Sequence, residues 1–499
     1  MTTEANLPSE HVIYRSQGRC LIVGEGKAIE ELLGMAGRVS GVSFHVLVTD
    51  VASPALLDAC AARGWSLTRG RLVELRGYLG QFHLRLEAGE PLGPFDLVVD
   101  LSQPPLIAAE VLPFGYFVPG EDPRRTLEEL ECWVGEFEKP RYFSYRPDLC
   151  VHGGPLHQGC RACIEACPAQ AIVSVAERRI EVDPYLCQGC GDCTAVCPSG
   201  ALSYRTIDRQ ILLEGLFAEL SHSPGATILF YPEGEAERND FHREGWIRQP
   251  LPTVAACGPE VWLALIAAGA AAVRLQRQGL LSGSRETLQG QMDWVNVLLA
   301  GLGYGNDRVA WLEDDPQPVA GKAVVPGRLA ALPGKRDMLE LVLHHLIRQA
   351  EQPPERIPLP RGAPFGSVEV DEERCTLCFA CVGACPVQAL QAGSDGFQLR
   401  FVEQNCLQCN RCAEVCPETA IRLVPRLLTD DRRRQPRLLH QEAVFHCPEC
   451  GKGFASRKII ETVLAKIAGH PLFTDARQKR RLLLCEDCRV RDLMRDHER

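Results

Sequence analysis

Aromatic residues supply only 6% of the 499 positions, methionine occurs five times, and the longest apolar run, Val261 to Val273, is thirteen residues including a glycine. A membrane-spanning helix needs roughly twenty, so that run reads as a buried helix and a membrane link would have to come through a partner. Positive charge is also short: 54 Lys and Arg against 64 Asp and Glu leave a formal net charge of −10. No basic field is therefore available to hold nucleic acid. No nucleophile triad, paired-carboxylate or complete phosphate-loop pattern stands out, so no catalytic residue is assigned. A charged start followed by a continuous apolar stretch is missing, as is a twin-arginine pair, and the expected location is the cytoplasm.

Cysteine is abundant. There are 24, and sixteen fall into four runs. The later two read Cys375-x2-Cys378-x2-Cys381-x3-Cys385-Pro386 and Cys406-x2-Cys409-x2-Cys412-x3-Cys416-Pro417. The earlier two are Cys187-x2-Cys190-x2-Cys193-x3-Cys197-Pro198 and a stretched form, Cys150-x9-Cys160-x2-Cys163-x3-Cys167-Pro168. This is the bacterial two-cluster iron-sulfur pattern, present twice. Two residues between cysteines let one loop wrap three corners of a cubane while its N–H groups face sulfur, and the fourth cysteine crosses to the other cluster. Four [4Fe-4S] sets follow: Cys150, Cys160, Cys163 and Cys197; Cys187, Cys190, Cys193 and Cys167; Cys375, Cys378, Cys381 and Cys416; Cys406, Cys409, Cys412 and Cys385. Behind each proline the chain repeats itself, as Pro168-Ala-Gln-Ala-Ile172, Pro198-Ser-Gly-Ala-Leu202, Pro386-Val-Gln-Ala-Leu390 and Pro417-Glu-Thr-Ala-Ile421. Structural zinc or disulfides would not require four-cysteine runs ending in proline. Thiols at metal spacing in so long a chain also argue for a reducing compartment.

In the stretched run, His157-x2-Cys160 has the normal spacing and Cys150 the normal chemistry. Cys150 is assigned as the ligand because Gly153, Gly154, Pro155 and Gly159 can fold the loop back. His157 is then an outer donor or exposed.

Outside the runs, Arg19 to Gly24 reads as a buried strand, Lys27 to Gly37 as a helix and Val42 to Val48 as a second strand, with further strands at Arg71 to Leu75, Gln81 to Leu86 and Phe95 to Asp100. Gly24-x-Gly26 with Asp50 resembles the start of a dinucleotide fingerprint, but Ile29 stands where the third glycine belongs. NAD(P) or flavin binding is the alternative to a structural Rossmann-like domain. Cys20, Cys60 and Cys132 have no partner at ligand spacing and read as buried small hydrophobes. Between the run pairs the α/β pattern returns, with strands Thr227 to Tyr231 and Ala271 to Leu275 and helices Gly258 to Ala268, Arg285 to Leu302 and Leu339 to Ala350. His344 and His345 on the last of these read as surface residues, since neighbours on a helix point apart. Glu351 to Arg361 reads as a stiff proline-rich linker and Asp430 to Arg437 as a solvated charged one. In the tail, Cys447-x2-Cys450 and Cys485-x2-Cys488 flank a helix, Ser456 to Ala468. Two such knuckles make a four-thiolate site for one Zn2+, with rubredoxin-type Fe the alternative; the intervening helix and a second knuckle without proline or glycine favour zinc.

Two resemblances add to this. Ala255-Ala-Cys257-Gly-Pro-Glu260 with the helix after it resembles a small domain of the iron-sulfur subunits of hydrogenase and heterodisulfide-reductase assemblies. That family holds a [2Fe-2S] cluster there with several cysteines; Cys257 is alone, so partner docking is expected. Cys150-Val-His-Gly with its glycine-rich insertion, the two run pairs, the intervening α/β domain and the terminal knuckles together resemble large bacterial ferredoxin-type proteins associated with molybdenum- or tungsten-dependent formate dehydrogenases. The resemblance implies electron transfer between a metalloenzyme and a carrier, and it too places cysteine at Cys150. The alternatives are an NAD(P)- or flavin-dependent oxidoreductase subunit and an accessory factor for metalloenzyme maturation.

The expected chain is multidomain, α/β and α+β: a Rossmann-like domain (1–140), a ferredoxin module with two clusters (141–206), a second α/β domain for docking (207–350), a proline-rich linker (351–366), a second two-cluster ferredoxin module (367–426), a charged linker (427–440) and a zinc-ribbon-like module (441–499). Counting ligands gives the first prediction. Anaerobically reconstituted protein should hold about sixteen irons and one zinc per chain, four irons per cubane; about half that iron would refute the two-module reading.

Overall fold

The computed structural model describes residues 10–35, 39–87, 91–120, 123–153, 159–175, 179–234, 243–313, 322–393, 396–467 and 475–497. Its first domain is built on a parallel sheet in the order Ser66–Arg69, Ser43–Val48, Arg19–Gly24, Leu97–Asp100, Tyr116–Phe117. Arg19–Gly24 is central and buried on both faces after its first residue, as a continuous apolar strand should be. One face carries the helices Gly26–Met35 and Pro54–Arg63, whose Ile29, Leu32, Leu33 and Leu56 pack on Cys20, Ile22, Val46 and Val48.

The other face differs from expectation. Leu72–Arg76 and Phe82–Leu86 are strands, but with Leu92–Phe95 they form a separate antiparallel sheet. Its Phe82, Leu84 and Leu86 cover Leu21, Val23 and Leu47. The reason is in the side chains: Phe82-His-Leu-Arg-Leu86 alternates buried and exposed, which suits a sheet with one wet face rather than a doubly covered parallel strand. Cys20 and Cys60 are buried in this domain, whereas Cys132 is exposed, contrary to the reading of all three as buried.

The middle domain has four parallel strands in the order Trp246–Leu251, Thr227–Pro232, Ala272–Leu275, Val309–Trp311. Every residue of the helix Pro259–Ala267 is buried, which accounts for the thirteen-residue apolar run: that helix is wrapped on all sides. Among the described residues no helix is long and apolar enough to cross a membrane.

Neither expected linker is a spacer. Arg356–Pro358 pairs antiparallel with Ile421–Leu428 of the second module, and Ile357, Leu359, Ala363 and Phe365 enter the hydrophobic core of the middle domain. Alternating apolar residues in that proline-rich stretch bury against both neighbours, and proline is tolerated because the strand lies at the sheet edge. Arg437–Glu442 likewise pairs with Phe397–Phe401. Arg433, 4% exposed, meets Glu340 of the helix Lys335–Gln349 at 2.7 Å, and Arg434 reaches His344 at 3.1 Å. His344 and His345 are half-buried, and His345 Nε2 meets the Val325 carbonyl at 2.8 Å. The short 3-10 turn Asp431–Arg434 aims these charges inward toward a partner that sequence spacing does not reveal.

A buried charge cluster locks the middle domain to the first module. Glu260 lies 2.9 Å from Arg209 and 3.2 Å from Lys335, and Lys335 also donates to the Thr194 and Ala195 carbonyls at 2.9 and 2.8 Å. Burial pushes the Glu260 carboxyl up, but Lys335 and Arg209 outweigh it and hold it below its usual range. Removing one partner of such a cluster strands the others in a low dielectric, at about 3–5 kcal/mol. Glu260→Leu should accordingly lower the denaturant midpoint by an equivalent of about 3 kcal/mol, with the loss partly restored in Glu260→Leu/Lys335→Met. A single variant as stable as wild type would contradict this.

Candidate iron-sulfur and metal sites

Each cysteine run is a loop followed by one short helical turn, and the same backbone is made four times. The residue before the second cysteine has positive φ in three runs, at Gly189 (76°), Leu377 (54°) and Gln408 (53°), and Gly159 (59°) holds the equivalent place in the stretched one. The residue after it is also left-handed at Gly191, Phe379 and Asn410, whereas Arg161 departs with φ −122°. The third residue after each final cysteine repeats the pattern at Gln170, Gly200, Gln388 and Thr419. Among the described residues, every non-glycine with positive φ lies in these runs or in the short repeat behind their prolines. Such conformations cost roughly 1 kcal/mol or more each. They turn the chain tightly enough to aim successive N–H groups inward.

The repeated Pro-x-x-Ala has a use in this geometry. Ala171 N–H meets Cys167 Sγ at 3.3 Å, Ala389 N–H meets Cys385 Sγ at 3.2 Å, and Ala420 N–H meets Cys416 Sγ at 3.3 Å. At the fourth site Ser199 intervenes, accepting from Ala201 N–H at 3.4 Å while its Oγ lies 3.7 Å from Cys197 Sγ. Gln408 adds a side-chain N–H 3.3 Å from Cys406 Sγ. Hydrogen bonds of this kind stabilise thiolate and tune cluster potential.

The thiols converge in crossed sets. One cavity is lined by Cys187, Cys190 and Cys193 together with Cys167 of the preceding run, under Tyr142, Phe143 and Tyr204. Another is lined by Cys375, Cys378 and Cys381 together with Cys416 of the following run. The remaining two sets are neighbours by their electrostatics. Burial pushes the Cys163 thiol above its ordinary range, and Cys160, Cys197 and Cys150 push the same way. Burial likewise raises Cys406 to about 11, with Cys409 and Cys385 adding to the rise. Desolvation of thiols such as Cys163 and Cys406 favours the protonated form, so loading iron there must displace protons, and the metal's own charge is what makes thiolate stable. The donor sets fit cubane clusters in type, number and enclosure.

Beside Cys150 the two described ends of the stretched loop meet. His152 and Gly159 form an antiparallel bridge, and His152 is fixed between the Cys160 carbonyl at 2.9 Å and Ser174 Oγ at 2.7 Å. His157 lies outside the described residues.

Several supporting side chains carried no motif. Lys139 donates to the carbonyls of Tyr185 and Cys187 at 2.8 and 2.7 Å, and burial lowers its pKa to about 8. Its only sequence signal is an inward position on the alternating strand Gly135–Pro140. Asp192, raised by burial to about 6, accepts from Ser284 Oγ at 2.6 Å and ties the Cys193 loop to the middle domain.

In the tail, the sulfurs of Cys447, Cys450, Cys485 and Cys488 all lie within 4.8 Å of one another, with Cys450 and Cys485 at 3.6 Å. A tetrahedral ion with metal–sulfur bonds near 2.3 Å spaces its sulfurs about 3.8 Å apart, so the four fit one ion. The first knuckle turns a hairpin, Val444–His446 with Gly453–Ser456, but the second opens the helix Glu486–His497 instead of a second hairpin. A helix N-terminus favours thiolate. The helix expected between the knuckles spans Arg457–Ile467, and a further one, Ala476–Leu482, follows.

The two candidate openings of the first run can be separated chemically. Cys150→Ala should lose or convert one cluster by iron content and by electron spin resonance of the reduced protein, while His157→Ala retains every cluster. The reverse outcome would make histidine the ligand.

Comparison with known protein families agrees with this geometry at two places. Residues 158–201 and residues 374–421 each match a family model described as a 4Fe-4S dicluster domain. The first match begins beyond Cys150. No curated protein matches the chain. The molecule therefore carries two ferredoxin-type dicluster domains, and iron-sulfur clusters are the cofactors of both.

Proposed function

We propose that the chain is an electron-transfer protein with four [4Fe-4S] clusters, one in each crossed cysteine set, relaying electrons between redox partner proteins. The observation that supports it best is the crossing: three cysteines of one run and the fourth of its neighbour line a single cavity in each dicluster domain. That is the ligand exchange a two-cluster ferredoxin requires. When bound, such clusters accept and release single electrons. The chain's part is to converge the thiolates, aim N–H groups at sulfur, and exclude water with Tyr142, Phe143 and Tyr204 at one set and Leu399 and Ile421 at another. A molybdenum- or tungsten-dependent formate dehydrogenase is the partner that the sequence resemblance supplies. The tail site holds Zn2+ in a structural role, since closed four-thiol sites in small modules serve folding.

The N-terminal domain acts as a cover in this reading. The N–H group a dinucleotide phosphate would use is taken: Gly26 N–H donates to Asp50 Oδ1 at 2.7 Å. A Cβ on Gly24 would stand 2.7 Å from Leu101 Cβ, and one on Gly26 would stand 2.5 Å from the Val51 carbonyl oxygen, so the chain itself fills the approach that the glycines open.

Anaerobically purified protein should be bleached by dithionite and reoxidised by a one-electron acceptor. NAD(P)H alone should leave the visible spectrum unchanged, and no flavin should be extractable. Bleaching by NAD(P)H at a turnover-relevant rate, without a partner, would overturn this function.

A further inference from the structure

The two dicluster domains are separated by 172 residues of other chain between the end of one match and the start of the next, yet their cysteine loops touch. Gly159 N–H, next to Cys160, donates to Glu414 Oε2 at 2.9 Å. Where Gly159 would carry a Cβ, Arg411 Cγ stands 2.2 Å away and the Cys409 carbonyl oxygen 3.1 Å away. Only glycine, in its left-handed conformation at φ +59°, lets the loops approach so closely. On the other side, Asn410 Nδ2 holds Glu414 Oε1 at 3.2 Å. Arg411 sits between Cys409 and Cys412 in sequence and is 6% exposed; its Nε has no hydrogen-bond partner among the described residues.

A second, independent tie sets the same spacing. Adjacent residues at the start of the helix Lys335–Gln349 hold opposite modules: Lys335 binds the Thr194 and Ala195 carbonyls of the first, and Arg336 binds the Pro364 and Gln404 carbonyls of the second at 2.8 and 2.6 Å.

We propose that Gly159, Arg411 and Glu414 are positioning residues of an inter-module junction that joins the Cys160 set to the Cys409 set. The four sets then form one row: the Cys187 set, the Cys160 set, the Cys409 set and the Cys375 set. This rests on the reading of all four as cluster sites. One electron crossing the junction oxidises one side by one and reduces the other by one, with no bond or proton moved. The buried Arg411 side chain lies against Gly159, one residue from Cys160, and is itself two residues from Cys409; its cation at the junction favours the added negative charge of reduction on both inner sets.

The test is a redox titration of the full, iron-loaded chain followed by electron spin resonance, with iron content measured on every sample. Arg411→Met should lower two of the four midpoints and leave two unchanged, because the lost cation belongs to the junction between one set of each module. Glu414→Gln, which removes an anion at the same place without changing shape, should raise the same two. A shift in one midpoint only, or in none, overturns the junction. Should Arg411→Met fail to fold, Glu414→Gln decides by the same criterion. Wild type binding about half the expected sixteen irons would instead sink the four-cluster reading, independently of the junction.

Discussion

Buried thiols repel each other as thiolates and resist ionising out of water, and this one constraint organises the molecule. Holding four of them together requires a backbone that spends conformational energy at left-handed residues such as Leu377 and Phe379. It also requires N–H donors placed before any metal arrives, which the tight turns and the alanine four residues after Cys167, Cys385 and Cys416 supply. Local strain of this kind persists only when surrounding structure over-determines it. The modules are small, and much of that surrounding structure is the rest of the chain.

That dependence explains why neither small module stands apart. Ala195 of the first, and Phe365 and Leu427 flanking the second, belong to the same hydrophobic cluster as the middle domain's Trp262 and Trp294. Trp294 meets the Phe365 ring edge-on at 5.9 Å, and Arg336 lies over the same ring at 4.4 Å. The middle α/β domain is a rigid bracket between two iron-sulfur folds, and its buried charges point outward to their carbonyls. An Arg or Lys is suited to this, because its long stem packs in the core while its head satisfies backbone groups that the loops leave open.

The two dicluster domains were legible because ligand chemistry is local: spacing, proline and loop are fixed within about twelve residues of chain. The parallel strands Arg19–Gly24 and Thr227–Pro232 were legible for a similar reason, as continuous apolar runs have few other uses. What escaped was non-local. Proline in Arg356–Pro358 reads as a linker until Ile421–Leu428 is seen beside it. Arginine in Asp431–Arg434 reads as solvated until Glu340 appears across the interface. Gly159 reads as loop punctuation, since its reason lies 255 residues away in Glu414. Sequence pattern reports what a residue does to its own segment and is blind to a partner that only the fold supplies.

The Cys187 and Cys375 loops are treated differently from each other, and the difference follows from what packs on them. The Cys187 loop is roofed by the N-terminal domain, where Tyr78 stacks on Tyr185 at 4.2 Å and Gln188 Nε2 reaches the Leu112 carbonyl at 2.8 Å, and is closed from within its own module by Tyr204, which donates to the Gly189 carbonyl at 2.9 Å. At the other end the tail module touches the Cys375 loop through Ser456 Oγ, which donates to the Thr376 carbonyl at 2.7 Å, and through Lys466, which meets Glu418 at 2.7 Å. Those contacts lie to one side, and Cys378 remains exposed. Exposure and hydrogen bonding both move a cluster's potential, so enclosure by aromatic rings at one end and an open thiol at the other makes the two ends chemically unequal. Two modules built on the same cysteine pattern acquire unlike surroundings in this way from the unlike domains attached to them.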